Sequence, residues 1–267
     1  MDSWQALNLH EGASPLLISM PHSGTRLTDA VAQGMTPAAM ALPDTDWYIP
    51  ELYKLAPSLG VSIVSANYSR YVIDLNRPEN DAALYSSKTT GLFPDILFTN
   101  KPLFQAGQTP STEHRTTCKQ QVWQPYHAAI AQQLKRIKQQ HGYAILLDAH
   151  SIAGQVPMLF EGDLPHFNWG TNAGNSCAAS MLQVAQDSVD EALYTQVSNG
   201  RFKGGYITRH YGQPQQGVHA IQLELSQDAY LQDGYKQGGN YVLSDAKLGS
   251  VSAVIAKLLK GLIAWHP

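Results

Sequence analysis

Residues 143–152 read YAILLDAHSI, and their reading decides the fold. The apolar run Ala144 to Leu147 carries no polar residue that would mark a solvent face, as in a strand buried on both sides of a sheet. It runs straight into Asp148-Ala149-His150 and then loosens through Ser151 to Gly154. Residues two apart on a strand share a face, so Asp148 and His150 point the same way. In an open α/β sheet the ligand crevice lies beyond the carboxyl ends of such strands.

Working outward, PLLIS (15–19), VSIVSA (61–66), YVIDL (71–75), GYIT (205–208) and HAIQLEL (219–225) read as further strands. Between them lie helical patterns. One covers 113–140, broken or kinked at Pro125 and stopped at Gly142. A second region, 175–199, divides into two helices. The later one opens on the capping-box spacing of Ser188 and Glu191 and stops at Asn199-Gly200. A third, 245–264, places Leu248, Val251, Ile255, Leu258, Leu259 and Leu262 along one face. Strands and helices interleaved in this way predict one three-layer α/β domain over 1–267. Residues 76–112, rich in Asn, Ser, Thr, Gly and Pro, read as a long functional excursion over one edge.

Composition narrows the partners. A chain that is 43% hydrophobic and 15% charged forms a core and shows no sign of disorder. A net charge of −3 gives no global field for nucleic acid or an anionic membrane. Cys118 and Cys177, the two cysteines, lack CxxC spacing, which argues against a zinc–cysteine site or a disulfide scaffold and fits a reducing cytoplasm. The opening MDSWQALNLHEG has no basic-then-apolar signal pattern. No apolar run nears the roughly 18 residues of a membrane span. The expectation is a cytoplasmic protein acting on a small molecule.

Four strand ends deliver polar residues. His22 follows PLLIS; Asn76 and Arg77 follow YVIDL, with Arg70 just before it; Asp148 and His150 end the central run; Gln222 and Glu224 sit in HAIQLEL. Two imidazoles and one carboxylate with an open position make up the usual catalytic zinc site. His22 and His150 supply the nitrogens, and Asp46 or Asp44 in PDTDWY supplies the carboxylate. Asp44 reads as the N-cap of the helix-like WYIPELYKLA and Asp46 as the ligand within its first turn. Asp148 is then an outer acceptor that fixes a tautomer or a loop. Alternation puts Glu224 with Gln222 on one face, where a buried carboxylate serves as general base. A binuclear manganese ureohydrolase would need a further Asp at position 152, where Ile stands. His127, His10 and His266 have no comparable context. Of seven arginines, Arg70, Arg77, Arg201 and Arg209 lie beside the polar strand ends or in NGRFKGGYITRHYG. Guanidinium forks recognise carboxylates, so the substrate is expected to be anionic.

Taken in order, ISMPHSG, LPDTDWY, SRYVIDLNRP, LLDAHS, GRFKGGYITRHYG and QLELSQ resemble segments of the N-formylglutamate amidohydrolase (formylglutamate deformylase) family of histidine breakdown. The resemblance runs from residue 15 to about 230. It implies a zinc-carboxypeptidase-like α/β/α sandwich with a mixed central sheet, and hydrolysis of N-formyl-L-glutamate to formate and L-glutamate. It carries His22 and His150 as metal ligands and Glu224 as the catalytic carboxylate; because such a substrate bears two carboxylates, at least two of Arg70, Arg77, Arg201 and Arg209 are expected to hold them, with Asn76 assisting. One feature departs from the broader carboxypeptidase-like pattern. A His-x-x-Glu motif would put Glu at position 25, which is Thr25, so the third ligand comes from elsewhere. The alternatives are a related zinc amidohydrolase for another N-acyl amino acid and a metal-containing binding protein without catalysis.

Overall fold

The run at 143–152 lies in the middle of the sheet. The computed structural model describes residues 4–83, 90–235 and 240–267. Among these, the strands β1 (Leu7–His10), β2 (Leu16–Met20), β3 (Ser62–Ala66), β4 (Ala144–Ile152), β5 (Phe167–Gly170), β6 (Gln196–Ser198) and β7 (Val218–Ser226) form one sheet in the order β1-β3-β2-β4-β7-β5-β6. The central β3, β2, β4 and β7 are mutually parallel. The flanks turn over: β1 is antiparallel to β3, and β5 is antiparallel to β7 while running parallel to β6. The helices are α1 (Asp29–Gly34), α2 (Pro37–Met40), α3 (Ile49–Leu52), α4 (Thr112–Cys118), α5 (Gln124–His141), α6 (Ala179–Asp187), α7 (Tyr206–Tyr211) and α8 (Asp245–Ala264). Among the described residues, no helix is long and apolar enough to cross a membrane.

Strand alternation splits the interior into two cores. Leu16, Ile18, Ile145, Leu147, Ile221 and Leu223 face a layer made of α3, α6 and α8. Leu17, Ala144, Leu146 and Ala220 face the other layer, where α1, α5 and α7 pack. The result is the expected three-layer α/β/α arrangement. On this second face the apolar residues stop short of the carboxyl ends. Beyond Leu146 the next inward positions of β4 are Asp148 and His150, and beyond Ala220 those of β7 are Gln222 and Glu224. Register pairs Asp148 with Gln222 and His150 with Glu224. A hydrophobic core thus gives way, on two adjacent strands, to four buried polar side chains.

Several expected elements differ. YVIDL (71–75) is buried throughout but is not a strand; Val72 N–H donates to Ser69 O at 2.9 Å and Asp74 N–H to Leu92 O at 2.8 Å. A continuous apolar run shows burial without showing conformation. GYIT (205–208) opens helix α7 instead. Gly204 has φ +105°, and Gly205 is the N-cap. Only one helix, α6, forms in 175–199. Ser188 Oγ donates to Ala185 O at 2.6 Å rather than capping a second helix, and Gln196–Ser198 joins the sheet as β6. The long helix is divided by a wide turn over Lys119–Trp123, which leaves Pro125 in the first turn of α5, where its missing N–H is not needed. Its stop at Gly142 (φ +82°) is as expected, and so are the bounds of α8. Of the excursion 76–112, residues 84–89 lie outside the described residues. Its later part packs against the end of α1, with Thr36 N–H donating to Leu103 O and Gln105 N–H to Gly34 O.

Candidate active site

His22 leaves β2 two residues after its end, held by the backbone: Asp46 N–H donates to His22 O at 3.0 Å. That bond draws the 43–46 turn against β2 and brings Asp46 to His150. His150 Nδ1 lies 3.0 Å from Asp46 Oδ2, and His22 Nδ1 lies 3.9 Å from the same oxygen. The three residues are 2–4% exposed. One donor atom from each lies within 4.8 Å of the others, so His22, Asp46 and His150 could hold a metal ion.

The outer edges of both rings are also occupied. His22 Nε2 meets Asp74 Oδ1 at 2.7 Å, and His150 Nε2 meets Asp148 Oδ2 at 3.2 Å. Carboxylates behind both imidazoles fix ring orientation and raise donor strength, the arrangement found behind metal-bound histidines. Burial draws His150 down, but Asp148 and Asp46 outweigh it and hold its pKa well above the ordinary value. The carboxylates that favour a proton there favour any cation. Burial and the Arg70 charge depress His22 despite Asp74 and Asp46. The donor set and its surroundings fit a divalent metal.

Glu224 is 7% exposed and lines the same cavity, of about 70 Å³. Burial pushes its carboxyl up to about 8, against the pull of His150. Gln222 Nε2 donates to Glu224 Oε2 at 3.1 Å, and Gln222 Oε1 accepts Gly205 N–H at 2.7 Å. Glycine is required at 205: a Cβ there would sit 2.3 Å from Asn76 Nδ2.

Arg70, Arg77 and Arg201 line this cavity, whereas Arg209 does not. Arg209 sits on α7 with Nε donating to Gly204 O at 2.8 Å, so its expected contact with substrate is not supported. The Asn76 amide is engaged inside the protein. Oδ1 accepts the Ile207 N–H at the start of α7 (2.8 Å), and Nδ2 lies 3.0 Å from His150 Nε2. Asp44 caps no helix: α3 begins at Ile49, behind Tyr48 at φ 59°. Asp44 Oδ2 instead accepts Phe98 N–H at 3.1 Å, and burial raises its pKa to about 6. Asp46 likewise lies in a turn before α3. His127 is a buried structural residue, with Leu75 O and Tyr211 OH as partners.

The sequence pattern gave Asp74 no place in the site. A lone Asp in an apolar run two residues before Asn76-Arg77 was the signal for more. Asp74 is fully buried and joins His22 to Arg70, whose Nη2 donates to Oδ2 at 2.7 Å. Although burial opposes it, His22, Arg70 and Arg77 hold its carboxyl well below the usual range. Removing one partner of a buried pair strands the other, so Asp74→Asn is expected to cost about 3–5 kcal/mol of stability. Urea unfolding measures this, and a loss near the roughly 0–1 kcal/mol of a surface pair would show that the pair is not structural.

Residues 14–231 match the family described as N-formylglutamate amidohydrolase. The chain is 52% identical over 263 residues to the N-formylglutamate deformylase of Pseudomonas aeruginosa, covering 98% of this chain and 97% of that one. With the N-formylglutamate deformylase of Pseudomonas putida it shares 48% identity over 262 residues, with the same coverage. A crystal structure of N-formylglutamate amidohydrolase from Ralstonia eutropha is similar in fold, with TM-score 0.80 at 20% identity and 96% of each chain covered. With the family match over residues 14–231 and 52% identity across nearly the full length of both chains, this chain belongs to the N-formylglutamate amidohydrolase family.

Proposed function

We propose that this protein hydrolyses N-formyl-L-glutamate to formate and L-glutamate, a step of histidine breakdown, using a divalent metal held by His22, Asp46 and His150. One observation carries the reading: three buried metal-type donors and a buried glutamate share one cavity with three arginines. Two imidazoles and a carboxylate favour zinc. When bound, such a cation supplies Lewis acidity, acidifying water and polarising a carbonyl.

The protein groups do the rest. Glu224 takes a proton from water as its oxygen adds to the formyl carbon. The C–N bond then breaks, and Glu224 returns the proton to the leaving amine. Arg70, held by Asp74 and lying 4.8 Å over the Phe98 ring, offers positive charge to the carbonyl oxygen as it becomes negative. Arg77 and Arg201 receive the two substrate carboxylates, which an uncharged pocket would desolvate at high cost. Two buried, unpaired thiols, Cys118 and Cys177, suit a reducing cytoplasm.

Formate release tests the reading. Purified protein should turn over N-formyl-L-glutamate faster than N-formyl-L-aspartate, lose activity after chelation and regain it with zinc. Full activity in thoroughly stripped protein would remove the metal from the mechanism. Faster release from the aspartate derivative would change the substrate.

A further inference from the structure

We propose that Thr90 determines specificity: its hydroxyl and the Arg77 guanidinium together hold one carboxylate of the acyl-glutamate. The inference deepens the reaction proposed above and rests on it. Thr90 is 5% exposed and lines the catalytic cavity beside Arg77. Its Oγ1 is buried and, among the described residues, has no hydrogen-bond partner. A buried hydroxyl without a partner is unfavourable, and valine would fill the same space without that cost.

The main chain locks the two residues together. Arg77 Nε donates to Thr90 O at 2.8 Å and Nη1 to Asn76 O at 3.1 Å, while Trp123 Nε1 donates to Arg77 O at 2.9 Å. The guanidinium is therefore oriented before substrate arrives; neither bond uses its Nη2 donors, and Thr90 lines the same cavity. A carboxylate presents two oxygens that only accept, which matches two donors on neighbouring side chains. A carboxamide in the same place lacks the negative charge, so it leaves the guanidinium uncompensated and gives the hydroxyl a weaker, neutral partner. The arginine reads the charge, and the hydroxyl adds a second, charge-assisted bond that fixes where the carboxylate sits.

The test compares the parent with Thr90→Val, which keeps shape without the hydroxyl, and Thr90→Ser, which keeps the hydroxyl. Substrates are N-formyl-L-glutamate and its two derivatives with either the γ- or the α-carboxylate converted to carboxamide. Thr90→Val is expected to lower kcat/KM for N-formyl-L-glutamate by roughly 10- to 150-fold, the scale of a hydrogen bond to a charged group, mainly through KM. Thr90→Ser should stay near the parent. The penalty should shrink on one carboxamide and persist in full on the other, which identifies the carboxylate held. Equal kinetics of parent and Thr90→Val, an equal penalty on both carboxamides, or a Thr90→Ser variant as poor as Thr90→Val would each overturn the inference. A parent that releases no formate would instead sink the proposed reaction. Calorimetric binding of L-glutamate then decides the subsite: weaker binding to Thr90→Val than to the parent sustains it, and equal binding overturns it.

Discussion

Glu224→Gln is expected to leave fold and metal content intact while lowering kcat by roughly two to four decades, the usual scale of general acid–base help. The substitution preserves volume and the contact to Gln222, whose Nε2 reaches Oε2 and whose amide is oriented by Gly205 N–H. The backbone of residue 224 is anchored independently, since its carbonyl accepts Asn168 Nδ2 at 3.0 Å. Only the capacity to take and return a proton is lost. Burial gives Glu224 a carboxyl near 8, and a cation at the neighbouring triad would draw it toward neutrality. That range suits a group that must first accept a proton and then donate it. Circular dichroism, zinc content and formate release, measured together, decide the matter. A variant with near-parental turnover would move proton transfer to another group.

What was legible in the sequence follows the physics of burial. Strands β2, β3, β4 and β7 lie in the sheet centre and are recorded as apolar runs, while the flanking β1, β5 and β6 span four, four and three residues and leave no comparable pattern. Helix α8 announces itself because one face, from Val251 to Leu262, is buried over about three turns. The errors at 71–75 and 205–208 share a cause: apolar residues there serve a turn and a helix start whose conformations are set by distant partners. Asn76 Oδ1 satisfies Ile207 N–H across 131 positions of sequence, and no local pattern encodes that. In the site, His22, His150 and Glu224 were readable as polar residues on buried strand ends. Asp74 was not, because its importance comes from joining His22 to Arg70. Arg209 stands apart for the complementary reason: its neighbour Gly205 reaches the cavity, whereas its own Nε donates to Gly204 O.

Asp46→Asn is expected to lower zinc affinity more than 100-fold, beyond the roughly 10- to 100-fold that changes behind a ligand usually produce, whereas Asp44→Asn should retain zinc. The two aspartates are separated by one residue and are both buried, yet they face different tasks. Asp46 Oδ2 is the atom toward which both imidazole Nδ1 edges turn, so it supplies the only anionic donor of the triad. Asparagine keeps the shape but removes the charge that offsets a divalent cation between two neutral rings. Asp44 Oδ2 is already used by Phe98 N–H, and its neighbour Tyr71 OH lies 3.2 Å from the Asp44 backbone nitrogen. Burial already disfavours its charge, raising its pKa to about 6. An asparagine oxygen can keep the Phe98 bond, so Asp44→Asn should change stability by no more than about 1 kcal/mol, the net worth of an ordinary hydrogen bond. Competition with a chromophoric chelator reads the first effect and urea unfolding the second. Zinc lost from the Asp44 variant and kept by the Asp46 variant would exchange the roles of the two residues, and with them the turn that closes the site.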